Sequence, residues 1–154
     1  MPDGGKPRVK SIVQILETKS PEVLSVTPNT SVFDAAKLMA EKDVGLLAVL
    51  ENDRLLGLIS ERDCVRRGIL QEKPPKDTSV SEIMTMEVIT SHLGAVVHEC
   101  AKLMIDRRIR HLPVVEGEKC IGVLSLGDLL SEMTDTQLAA LAMIGNTQKG
   151  FLLL

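Results

Sequence analysis

The sequence predicts an α/β (α+β) protein in which one strand–helix–strand–strand–helix unit occurs twice. Residues 65 positions apart repeat each other, from Val23 and Val88 onwards, for about fifty residues. Both copies end in Gly-apolar-apolar-Ser-x-x-Asp, at residues 57–63 and 122–128. In a chain of 154 residues each copy alone has a marginal core, so we expect both to form one pseudo-two-fold module.

A short helix is predicted before the first copy, because Ile12, Val13 and Leu16 lie on one side at helical spacing. Residues 80–84 repeat the apolar pattern of this helix. The offset here is 68 positions, since Ile15-Leu16 matches Ile83-Met84. Three additional residues therefore separate the helix from the strand in the first copy, and a loop of altered length accommodates them.

Within each copy the apolar pattern changes from strand to helix and back to strand. Residues 23–26 predict a strand, and residues 46–50 and 55–59 are apolar runs around a polar turn, which indicates a hairpin. Ser60 begins another helix, and the same order returns between residues 88 and 133. The helical stripe before the hairpin consists of Val32, Ala35, Ala36 and Met39 in the first copy and Val97, Cys100, Ala101 and Met104 in the second.

The pattern divides the chain into a flexible tail at 1–10, a first motif at 11–70, a connector at 71–79, a second motif at 80–134, and a C-terminal helix and tail at 135–154. The connector contains two consecutive prolines and is expected to be exposed. A helix is predicted over 136–144. The apolar end at 151–154 is expected to be a frayed or locally packed terminus, with docking onto a neighbour as the alternative.

Composition disfavours several classes of function. A net charge of −3 leaves no broad basic surface, so nucleic acid is not the expected partner. No apolar stretch is long enough to span a bilayer, and the first residues lack the apolar core of a signal peptide. We therefore expect a cytoplasmic protein that does not contact membranes.

The cysteines are predicted to be reduced packing residues, since each has an apolar counterpart in the other copy. The pairs are Cys64 with Leu129, Cys100 with Ala35, and Cys120 with Leu55. The sequence has no phosphate-binding loop, metal-ligand spacing or paired nucleophile and base. We therefore expect a protein that is not an enzyme and requires no metal.

The Ser-x-x-Asp pattern has two explanations. Ser can cap the first turn of a helix while the carboxylate three residues later bonds back to it, which is an ordinary capping box. The free N–H groups at the same helix end also suit a phosphate. The two Asp oxygens can accept hydrogen bonds from the 2′ and 3′ hydroxyls of a ribose. A ribonucleotide would satisfy both groups.

The repeated Gly-apolar-apolar-Ser-x-x-Asp, together with His111-Leu112-Pro113-Val114-Val115, resembles the cystathionine β-synthase (CBS) domain. Two in tandem resemble a Bateman module, and the chain is similar to stand-alone CBS-pair proteins from about Ser11 to Met133. The resemblance implies two clefts that bind the adenosine part of AMP, ADP, ATP, NAD(H) or S-adenosylmethionine. It also implies a flat homodimer, parallel or antiparallel, that acts in signal transduction by regulating an unknown target protein.

The resemblance also assigns residues to the two clefts by position. In the first, Asp63 would hold the ribose and Ser60 the phosphate side, with Arg62 either reaching a phosphate or forming a solvated salt bridge. In the second, Asp128 and Ser125 take these roles. The expected surroundings of the base are Ser25 or Val26 with Leu46, Leu47 and Ala48 in the first cleft, and Thr90, His111, Leu112 and Pro113 in the second.

The two clefts are not expected to be equivalent. Arg107, Arg108 and Arg110 precede the second hairpin and favour phosphate there, unless they form a solvated surface that pairs with Asp106 or Glu116. With only two aromatic residues in the chain, adenine is expected to lie between aliphatic side chains. The alternative to a nucleotide sensor is a structural or protein-docking module in which the Ser-x-x-Asp pairs are helix caps and the clefts are empty.

Overall fold

The computed structural model describes residues 10–19 and 22–145; the predicted tail at 1–9 and the apolar end at 151–154 lie outside them. The helices are α1 (Ile12–Thr18), α2 (Val32–Lys42), α3 (Glu61–Asp63), α4 (Val97–Arg107), α5 (Leu126–Leu130) and α6 (Asp135–Gly145). The strands are β1 (Ser25–Val26), β2 (Leu46–Glu51), β3 (Arg54–Ser60), β4 (His111–Glu116) and β5 (Lys119–Ser125). A π-helical turn at Cys64–Gly68 follows α3, and 3₁₀ turns occur at Ile69–Gln71 and Val80–Glu82.

The mixed α+β class predicted from the sequence is confirmed. The described residues contain a five-stranded sheet with the order β1-β2-β3-β5-β4. The predicted first hairpin is present, because β2 and β3 pair antiparallel in a register that places Val49 opposite Gly57. Strand β1 lies parallel to β2, with Ser25 opposite Ala48.

The chain divides into two compact units that cut across the predicted motif boundaries. Of the described residues, the α2 unit comprises 22–89 and 115–121, and the α4 unit comprises 10–19, 90–114 and 122–145. Helix α1, at the start of the first motif, belongs to the α4 unit. The 3₁₀ turn Val80–Glu82, which lies in the segment that repeats α1 in the sequence, belongs to the α2 unit.

The core of the α2 unit is built by the predicted helical stripe. Val32, Ala35 and Met39 are buried on α2, which Ser31 caps by accepting a hydrogen bond from the Asp34 N–H. This stripe packs in one cluster with Leu47, Val49, Ile59, Cys64, Val80 and Ile83. Full burial of one large aliphatic side chain contributes about 1.5–3 kcal/mol, so the stripe is a main source of stability in this unit.

In the α4 unit the second stripe is buried in the same way, at Val97, Cys100, Ala101 and Met104. Helices α5 and α6 both pack against α4. Helix α1 buries Ile12 and Ile15, and its Leu16 side chain lies against Gly122 on β5. The C-terminal helix predicted over residues 136–144 is confirmed as α6.

Three local expectations were wrong. The helix that begins after Ser60 stays α-helical only through Asp63 and then widens into the π-helical turn, which ends at Gly68. The second copy of the first strand is reduced to a single bridge between Ser91 and Val114. The connector is not wholly exposed, because Thr78 is buried and its carbonyl accepts a hydrogen bond from the Val32 N–H at 2.9 Å.

Candidate functional site

Both Ser-x-x-Asp motifs form capping boxes. In the α2 unit, Asp63 N donates to Ser60 Oγ at 3.1 Å and Ser60 N donates to Asp63 Oδ2 at 3.0 Å. In the α4 unit, Asp128 N donates to Ser125 Oγ at 3.1 Å and Ser125 N donates to Asp128 Oδ2 at 2.8 Å. The ordinary explanation of the motif is therefore realised, but each cap uses only Oδ2, which leaves Oδ1 for another partner.

Equivalent backbone bonds place each carboxylate next to the start of a hairpin. Glu61 N donates to Gly45 O at 3.0 Å, and 65 positions later Leu126 N donates to Arg110 O at 2.8 Å. Gly45 directly precedes Leu46, and Arg110 directly precedes His111. The fold thus brings the proposed ribose carboxylate of each copy beside the strand expected to contact the base.

All predicted residues of one cleft fall within one unit. Ser25, Val26, Leu46, Leu47, Ser60, Arg62 and Asp63 belong to the α2 unit, and Thr90, Arg108, Arg110, His111, Leu112, Pro113, Ser125 and Asp128 belong to the α4 unit. Their accessibility differs. Arg62, Thr90 and Arg108 are exposed, whereas Leu47 and Leu112 have no exposed surface. A ligand can touch Leu47 or Leu112 only if that residue first becomes exposed.

Lys19 is a site residue that the sequence reasoning missed. Its Nζ donates to Asp128 Oδ2 at 2.7 Å and to Val123 O at 2.8 Å. The ion pair is partly shielded from solvent, with 36% of the Lys19 side chain and 27% of the Asp128 side chain exposed. Asp128 is therefore held by a cap on its own helix and by a cation from the N-terminal segment.

The position of Lys19 follows from the unequal loop lengths of the two copies. Lys19 lies between Leu16 and Val23, where the first copy has three more residues than the second. In the α2 unit, the Thr85 N–H donates to Leu58 O at 2.8 Å. Val123, 65 positions after Leu58, instead has its carbonyl bonded by the Lys19 ammonium. A lysine within the longer loop was the only sequence signal for this contact.

Charge and burial shift the pKa values of Asp128 and His111. Burial alone would raise the pKa of Asp128, but hydrogen bonds from Lys19 and Ser125 outweigh it and lower that pKa. Burial lowers the pKa of His111, and the positive charge of Lys19 lowers it further. At neutral pH the site therefore holds a carboxylate, an ammonium and an uncharged imidazole.

Asp63 has different surroundings. The Ser60 hydroxyl donates to Asp63 Oδ2 at 3.0 Å. The cation beside Asp63 is Arg67, whose Nε lies 3.9 Å from Oδ1. Arg67 also donates through Nη1 to Met84 O at 3.2 Å. The Ser-x-x-Asp motifs of the two units therefore share a cap, but the cation beside the carboxylate differs.

Asp106 is one of the two residues considered as partners of the arginines before β4. Asp106 Oδ2 lies 3.9 Å from Lys102 Nζ one turn earlier on α4. Arg107 is exposed, Arg108 ends the helix with a left-handed backbone (φ 55°), and Arg110 is half-buried. Their backbone fixes the turn into β4, next to His111.

Within residues 10–19 and 22–145, no three His, Cys, Asp or Glu side chains are grouped as metal ligands. Over the same residues no helix has the length and apolar character needed to cross a membrane.

Comparison with known proteins identifies the family. The CBS domain profile matches residues 11–69 and 80–135. The CBS domain-containing protein YhcV of Bacillus subtilis is 30% identical over 129 residues, which cover 84% of this chain and 91% of YhcV. The mitochondrial protein CBSX3 of Arabidopsis thaliana is 40% identical over 109 residues, covering 68% of this chain and 53% of CBSX3. This chain thus aligns with about half of the Arabidopsis relative.

Solved structures similar to this chain also belong to CBS-domain proteins. A CBS-domain protein from Burkholderia ambifaria superimposes with a TM-score of 0.73 at 43% identity, covering 79% of this chain and 92% of its own. The CBS domain protein PAE2072 from Pyrobaculum aerophilum, solved in complex with AMP, has a TM-score of 0.69 at 27% identity, covering 84% and 97%. Two tandem family matches and these structural relatives show that the chain belongs to the CBS domain family, as a CBS pair.

Proposed function

We propose that this CBS pair is a non-catalytic regulatory module that binds an adenosine nucleotide. The observation that carries the proposal is the repeated carboxylate, Asp63 and Asp128, each fixed by a cap through Oδ2 beside the first strand of a hairpin. The structure of PAE2072 in complex with AMP supports an adenine nucleotide as the ligand class. AMP, ADP, ATP, NAD(H) and S-adenosylmethionine all contain the required adenosine.

In the proposed binding mode the Asp carboxylate, the first hairpin strand and the arginines each bind a different part of the nucleotide. The ribose hydroxyls donate to Oδ1 of the Asp, which the cap leaves unused. The adenine lies at the strand that begins with Leu46 or His111 and bonds to backbone groups, since the chain has two phenylalanines as its only aromatic residues. Arg62 in one site and Arg108 or Arg110 in the other attract the phosphate.

Regulation requires only that the nucleotide binds one state of the protein more tightly than another. The coupling free energy then equals the difference between the two binding free energies. In this proposal two chains form a homodimer through their helices, and a change in the dimer is transmitted to a target protein.

Ligand-linked stability tests the proposal. AMP at about 100 times its Kd should raise the free energy of unfolding by about 2.7 kcal/mol, because it binds only the folded state. Asp63→Asn and Asp128→Asn should each reduce this gain, whereas Asp106→Asn, an exposed carboxylate on α4, should leave it unchanged. The competing function, a docking module with empty sites, predicts no stabilisation by AMP, ATP, NADH or S-adenosylmethionine.

A further inference from the structure

Lys19 has a hydrogen-bond donor that its contacts with the described residues do not use. A lysine ammonium carries three N–H groups. One is directed to Asp128 Oδ2 and one to Val123 O, at 2.7 and 2.8 Å. The side chain is one-third exposed. Within residues 10–19 and 22–145, Lys19 is therefore held by two bonds, which leaves one N–H for a ligand.

Asp128 has a matching acceptor. Its Oδ2 receives hydrogen bonds from Lys19 Nζ and from Ser125 N, and neither of these bonds involves Oδ1. The side chain is about one-quarter exposed. An ammonium donor and a carboxylate acceptor therefore lie side by side, in an arrangement that the cap and the Val123 carbonyl keep rigid.

A neutral diol fits this pair better than a phosphate does. Each hydroxyl of a diol both donates and accepts, so it can donate to Oδ1 and accept from the ammonium, and both bonds are charge-assisted. A phosphate would be attracted by Lys19 but repelled by the carboxylate 2.7 Å away. The chemistry of the pair thus matches the ribose, not the phosphate, of a nucleotide.

We infer that Lys19 and Asp128 form a donor–acceptor pair that recognises the ribose diol of the nucleotide in the α4 unit. This inference rests on the proposed nucleotide binding and adds a specificity-determining residue to it. The α2 unit does not offer the same pair. Residues 85–87, which replace the Lys19 loop there, include no lysine or arginine, and Arg67 stands 3.9 Å from Asp63 Oδ1.

A ligand series separates the diol from the phosphate. The wild-type protein and Lys19→Met are titrated with AMP, 2′-deoxy-AMP, 3′-deoxy-AMP and adenosine. Lys10→Met is the matched control, because Lys10 also pairs with a carboxylate of the same unit, Glu132 at 3.3 Å, without contacting Asp128. Lys19→Arg keeps the charge and tests for rescue. The NMR signals of the His111 ring report binding at this site, and urea unfolding verifies that each variant is folded.

We expect Lys19→Met to weaken AMP and adenosine alike by about tenfold or more, the effect of losing a charge-assisted hydrogen bond. At least one deoxy analogue should weaken by no more than about twofold, since its bond to Lys19 is already absent. Lys10→Met should bind like the wild type, and Lys19→Arg should restore part of the loss.

Two results would overturn the inference while the proposed function stands. A loss for AMP without a loss for adenosine would place Lys19 at the phosphate. An equal loss for all four ligands would make Lys19 a purely structural residue. If the wild-type protein binds none of the four, and none of ATP, NADH and S-adenosylmethionine either, the proposed function itself fails.

Discussion

The Leu16 side chain lies against the backbone of Gly122, at a point where a Cβ on the glycine would come within 2.6 Å of Leu16 Cδ2. The same contact occurs in the α2 unit between Met84 and Gly57. Met84 follows Leu16 by 68 positions and Gly122 follows Gly57 by 65. The first segment of each motif therefore packs on a β-strand of the other motif, and two glycines permit this close contact.

The two glycines should differ in their tolerance of alanine. A Cβ at Gly57 would lie 2.6 Å from the Thr85 carbonyl oxygen, a backbone atom, whereas at Gly122 the three nearest atoms all belong to the Leu16 side chain. We expect Gly57→Ala to lower the free energy of unfolding by about 1–3 kcal/mol and Gly122→Ala to lower it by less. Urea unfolding measures both. Gly127→Ala, where the nearest atom is 3.8 Å away, is the control and should not destabilise the protein.

Asp128 should matter more than Asp63 for nucleotide affinity. Asp128→Ala removes the carboxylate that Lys19 holds in place, and we expect AMP binding to weaken by about 1.5–3 kcal/mol, as for a hydrogen bond to a charged group. Asp63→Ala should have a smaller effect, because Arg67 Nε lies 3.9 Å from Asp63 Oδ1, whereas Lys19 bonds to Asp128 at 2.7 Å. Calorimetric titration provides both values, and equal losses would show that the Lys19 contact confers no advantage.

The stability of the protein should fall when the pH drops below about 6.5 because of His111. Burial, and then the charge of Lys19, lowers the pKa of His111 below 6.5. The unfolded chain therefore takes up this proton at a higher pH than the folded protein does. The contribution to stability is complete above the unfolded pKa and is lost progressively as the pH falls toward the folded pKa.

A pH series of urea unfolding curves checks this expectation. His111→Gln should reduce the decline in unfolding free energy between about pH 7 and pH 5. His92→Gln, a change at an exposed position, should retain the decline of the wild-type protein. If the His111→Gln curve ran parallel to the wild-type curve, the proton uptake of His111 would not be linked to unfolding.

The three cysteines should remain unreactive until the protein unfolds. Cys64, Cys100 and Cys120 are all buried, as the apolar counterparts in the repeat predicted. Burial, followed by the negative charges of Asp63 and Glu61, raises the pKa of the Cys64 thiol, which disfavours the reactive thiolate. A thiol reagent should label the protein at the rate of global unfolding. Rapid labelling of Cys64 without denaturant would contradict this burial.

Patterns with a short period were the part of the fold that the sequence predicted well. The stripes that include Met39 and Met104 are buried, and the runs around residues 52–53 form the expected hairpin. Both follow from local spacing, because apolar side chains must face one core. The Ser and Asp caps could also be predicted from the sequence, since a capping box depends on residues three positions apart.

Contacts between distant segments were harder to predict. Lys19 and Asp128 are 109 positions apart, and Lys19 lies in a loop that breaks the repeat, so comparison of the two copies could not reveal the pair. The π-helical turn at Cys64–Gly68 escaped prediction for a different reason. An α-helix and a π-helix place apolar side chains on similar faces, so periodicity does not distinguish them over five residues.

Calorimetric titration of the wild-type protein with AMP and 2′-deoxy-AMP, extended to ATP, NADH and S-adenosylmethionine, tests the central claim most directly. The account predicts saturable binding of at least one ribonucleotide that its deoxy analogue does not match, since Asp128 and Asp63 recognise the ribose hydroxyls. The absence of heat and of any thermal shift with all of these ligands would contradict the account and favour a docking module whose Ser-x-x-Asp pairs are helix caps alone.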